Sequence, residues 1–184
     1  QLKEGIRTAV RQLADDVTAP SIGPRTLRGH LPSGSLLEDN AKESTEEDAA
    51  VRYVSAIIEA SFLVAGSDGL DDNEREAMID LFGETTGEEV ETSELQEMFR
   101  RFDAQLQAEG LEQRLASVAS CFTDFMEREE ALGFAALIAI SDRELSPKEA
   151  VALVALGTRL GFSTGEVQVV LDGVAKTLET VLNA

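Results

Sequence analysis

Residues 60–82 read ASFLVAGSDGLDDNEREAMIDLF, and residues 134–156 read FAALIAISDRELSPKEAVALVAL. Each stretch is an apolar helical run that ends in Ser-Asp and passes through a short acidic turn. A new helix then opens at Asp or Ser, with Glu three positions on. Gapping one residue in the first turn brings Asp68 opposite Asp142 and Glu74 opposite Glu149. A duplicated helix-turn-helix implies a core assembled from two copies of one unit. The match continues downstream, where Phe162-Ser163-Thr164-Gly165-Glu166-Val167 aligns with Val90-Glu91-Thr92-Ser93-Glu94-Leu95. Each copy therefore reads helix, acidic turn, helix, loop, helix.

Outward from the repeat, apolar residues recur every three or four positions. Ser44 and Glu47 fit a capping box for a helix that carries Val51, Val54, Ile58, Phe62 and Ala65 and runs to about Gly66. The spacing predicts further helices over about 72–82, 92–108, 111–126, 127–141 and 147–160, and a last one opened by Ser163-Thr164-Gly165-Glu166. Leu132 to Ile140 is apolar on all sides and short, which predicts the central buried helix. Cys121 falls within the apolar period of LASVASCFTDF and reads as a small buried hydrophobe. No segment alternates as a strand does. The expected fold is all-α, a compact domain of about seven helices over residues 45–184.

Residues 1–44 have a different character. Leu2, Ile6, Val10, Leu13 and Val17 define a short amphipathic helix. The stretch 18–44 holds Pro20, Pro24 and Pro32 among Gly, Ser and Thr and reads as an extended arm. Its mixed composition suits a segment that gains order on a partner or on its own globular domain. Six basic and six acidic residues cancel here, so the whole formal charge of −19 falls on residues 45–184. That surface repels nucleic acid and anionic lipid and favours cations, whether metal ions or basic partner surfaces. The chain has neither an 18-residue apolar run nor a signal peptide with a charged n-region, so a soluble, cytoplasmic protein is expected. Gln1 in place of Met points to a processed or more distant native N-terminus.

Catalytic vocabulary is sparse. One cysteine excludes an internal disulfide and a Cys-based zinc site, and the single His30 leaves triads and His-rich metal sites without support. Carboxylates remain. The first turn, Ser67 to Glu74, concentrates Asp68, Asp71, Asp72 and Glu74 beside a helix end whose freed carbonyls are oxygen ligands suited to hard cations. Leu70 and Asn73 break the EF-hand pattern. Capping explains Asp71 with Glu74, and Ser146 with Glu149, where Pro147 takes the first helical position. It does not explain Asp68 and Asp142, which follow helix C-termini where the dipole disfavours negative charge. The candidate metal-ligating residues are therefore Asp68, Asp72 and Glu74 in the first turn, and Asp142, Glu144 and Glu149 in the second. The cation would be divalent, with Ca²⁺, Mg²⁺, Mn²⁺ and Zn²⁺ all open.

At these residues the chain resembles the TerB-like tellurite-resistance family, whose pattern is an apolar helix ending in Ala-x-x-Asp-Gly followed by a Glu-opened helix, repeated once. The matching strings are Val64-Ala65-Gly66-Ser67-Asp68-Gly69 with Glu74, and Ile138-Ala139-Ile140-Ser141-Asp142-Arg143 with Glu149. Leu160-Gly161-Phe162-Ser163 with Glu166 is similar to the closing helix of that family. The first turn is one residue short, and Arg143 stands where the second glycine belongs. The resemblance spans about residues 48–176 and implies a helical domain with no enzymatic activity, which binds divalent cations through its acidic turns within stress-response assemblies near the membrane. On this reading residues 1–44 dock a protein partner or a second copy. A purely structural adaptor, with the turn acids serving only as caps, is the competing expectation.

Overall fold

The computed structural model describes residues 46–85, 91–140 and 145–182. The expected N-terminal helix and arm, the Ser44 cap, Asp142 and Glu144 lie outside the described residues. Within them the chain is all-α, with seven helices and no strand. Helix α1 spans Glu46–Ala65 and ends in a 3₁₀ turn at Gly66–Asp68, after which α2 spans Asp72–Thr85 and α3 spans Thr92–Glu109. A linking helix α4 covers Leu111–Ala119. The second copy supplies α5 at Phe125–Ala139, α6 at Pro147–Arg159 and α7 at Thr164–Leu182.

The expected central helix is α5, in which every residue from Glu130 to Ala139 is buried. It packs most extensively on α1, the equivalent helix of the first copy, and on α7. Helix α1 also packs on α4 and α6, so most of its surface is covered by residues outside its own repeat. The paired helices α2 with α3, and α6 with α7, flank this crossing. Leu95 and Val167, aligned by the repeat, are both buried at the start of their helices.

Few aromatics suffice because they cluster. Phe62 meets Phe99 at 5.0 Å and Phe102 at 5.6 Å between ring centroids. Phe82 lies 6.2 Å from Phe99 and stacks at 5.4 Å on Phe134, which joins the two copies through their rings. The Arg75 guanidinium sits 5.8 Å from the Phe62 ring centroid and pairs with Asp103 at 2.7 Å.

The expected helix over 111–126 is broken in two. Helix α4 tightens and stops because the Cys121 and Phe122 amides donate to carbonyls three residues back, on Val118 and Ala119. Asp124 then caps α5 in a reciprocal box with Glu127. The break takes Cys121 off the apolar face. It is exposed, not buried as its periodicity suggests, and its Sγ lies 3.6 Å from the Ser117 carbonyl oxygen. Although the residue is exposed, the protein atoms on its inner side partly desolvate the sulfur and push the thiol up from its ordinary value, and the Glu59 carboxylate adds to the rise. Helix α2 runs through Gly83 to Thr85, past its expected end.

Gly157 sits where α6 crosses α7. A Cβ there would stand 2.3 Å from Val167 Cγ2, inside the contact limit, on a β-branched side chain with little freedom to turn. In an open helix Gly→Ala gains about 1 kcal/mol. Here overpacking of about 1–3 kcal/mol opposes it. Gly157→Ala should lower the melting temperature, and adding Val167→Ala should reverse part of that clash; chemical denaturation of the two variants checks both.

Candidate functional site

The first acidic turn is built by helix ends. At the close of α1, the Ser67 hydroxyl donates to the Val64 carbonyl at 2.7 Å, and the Gly69 amide donates to the Gly66 carbonyl at 3.1 Å. Gly69 adopts φ +102°, the positive value that favours glycine. One lone pair on each of these two carbonyls, expected to be open to a cation, is therefore used within the turn. Leu70 tucks against the core and pins the middle of the turn.

The acids then divide by role. The Glu74 amide donates to Asp71 Oδ1 at 2.8 Å, and the Asp71 amide donates to Glu74 Oε2 at 2.8 Å. This is the reciprocal box the spacing predicts, and it commits one oxygen of Glu74 to the backbone. Asp68 and Asp72 are exposed. In the second copy the Ser146 amide donates to Glu149 Oε2 at 2.8 Å and the Glu149 amide to Ser146 Oγ at 3.2 Å. Glu149 is buried, and Leu145 packs on the core as Leu70 does. Asp68, Asp72, Glu74 and Glu149 are not drawn together: among the described residues no three of His, Cys, Asp and Glu converge closely enough to hold a metal ion.

The same box opens α7. The Ser163 amide and hydroxyl both donate to Glu166 Oε2, at 2.7 and 2.8 Å, and these bonds hold the Glu166 carboxyl below its ordinary value. A helix opened this way loses about 1 kcal/mol when its capping side chain goes. Asp71→Ala should therefore lower stability by about 0.5–2 kcal/mol, whereas Asp68→Ala, with no helix start to cap, should leave it nearly unchanged. Urea denaturation separates the two outcomes.

Beyond the turns, α2 carries an acidic row. Asp72, Glu76 and Asp80 follow every fourth residue and are all exposed, with Asp68 exposed in the turn before them. Residues four apart on a helix lie about 5–6 Å apart at Cβ, and like charges at that spacing destabilise the helix by about 0.2–0.5 kcal/mol per pair. The expectation of turn ligands covers Asp68 and Asp72 but not Glu76 and Asp80, which continue the row along α2. The signal was the spacing of four in Asp72-x-x-x-Glu76-x-x-x-Asp80.

Two buried polar pairs lie outside that expectation as well. Arg114 donates from Nε and from a terminal nitrogen to Glu59 Oε1, at 2.9 and 2.6 Å, and ties α4 to α1. The Tyr53 hydroxyl donates to Glu130 Oε2 at 2.6 Å, linking α1 to α5. Burial raises the Tyr53 hydroxyl far above its ordinary range, reinforced by its bond to Glu130.

Comparison with protein-family models, with curated proteins and with solved structures gives no match.

Proposed function

We propose that this chain is a cytoplasmic, non-enzymatic, acidic, all-helical interaction module of the TerB-like kind its sequence resembles, and that, beyond what the resemblance implies, it receives a basic partner surface along α2. The observation that carries the reading is the exposed row of Asp72, Glu76 and Asp80. Asp72 and Glu76, like charges four apart, repel each other, and a lysine- or arginine-rich surface would relieve that repulsion. Carboxylates strung along one helix make separate contacts with a partner, whereas a hard cation needs six to eight oxygens gathered around one point. One His and one Cys in 184 residues supply little for catalysis, which supports a binding role. Among the described residues no helix is long and apolar enough to cross a membrane.

The resemblance also supports a second reading, divalent-cation binding at the turns through Asp68, Asp72, Glu74, Asp142, Glu144 and Glu149. One set of thermal melts decides between them. The wild type, Asp68→Asn and a triple variant (Asp72→Asn, Glu76→Gln, Asp80→Asn) are melted in EDTA, with excess Ca²⁺, Mg²⁺, Mn²⁺ or Zn²⁺, and with an oligolysine peptide at matched ionic strength. The proposal expects the peptide to stabilise the wild type and not the triple variant. A cation-specific rise of about 2.7 kcal/mol at 100 times the dissociation constant, abolished by Asp68→Asn, would replace it with the metal reading.

A further inference from the structure

We draw no further inference here: the strongest candidate, the exposed apolar surface patch of Phe125 and Met126 at the start of α5, carries nothing because no feature of the structure shows what covers it.

Discussion

Arg114→Met should destabilise the protein by about 3–5 kcal/mol, because it leaves the Glu59 carboxylate buried without its cation. Arg114 and Glu59 keep only 12% and 9% of their side-chain surface exposed, so solvent does little to screen the pair. The double variant Glu59→Leu/Arg114→Met should regain most of the loss, since well-packed apolar residues in place of a buried ion pair are often neutral or better. The pH dependence has a definite sign. Burial pushes the Glu59 carboxyl above its ordinary value, and the bond and charge of Arg114 pull it back only in part. A folded-state pKa above the unfolded one gives stability that is full below the unfolded value and lost as pH rises through the folded value. Without Arg114 the rise is larger. The single variant should therefore lose the most stability, relative to the wild type, above the ordinary carboxylate range, and should approach the wild type in acid. Denaturation at several pH values reads this directly, and a flat difference would contradict it.

Phe99→Ala should cost about 3–5 kcal/mol, the range for truncating a buried aromatic. Phe99 is fully buried and touches the rings of Phe62, Phe82 and Phe102. Three ring contacts are lost together, each worth about 0.5–1.5 kcal/mol beyond area, and a rigid surround of rings collapses poorly into the cavity. Phe125→Ala, on an exposed ring, should change little by comparison. Equal losses in the two variants would mean that the cluster does not hold the fold as its geometry implies.

The helices were legible because their signals are local and redundant. Periodicity, the Asp71–Glu74 and Ser146–Glu149 boxes and glycines at helix ends all give the same boundaries. Gly110 and Gly161, at φ +84° and +92°, stop α3 and α6 where the pattern ends. The break after Ala119 was hidden by an apolar period that runs on through Phe122, and only the Asp124-x-x-Glu127 box marks it. Glu59 and Arg114 are 55 residues apart, and nothing local says that a glutamate on α1 will face an arginine on α4. The turn acids were legible as caps. Whether carboxylates converge on one point depends on tertiary placement, which spacing along the chain does not encode.

The crossing of α1 over α5 bears on how the molecule comes apart. Helix α1 packs mainly on α4, α5 and α6, outside its own repeat, and α5 packs on α1 as well as on its own α6 and α7, so separating the halves uncovers apolar surface on both. Solenoid repeats, by contrast, stack on their neighbours and can fray one unit at a time. Interlocked halves must melt together. The duplication thus yields one cooperative body, and a chain cut between α3 and α4 would recover structure only when both fragments are present.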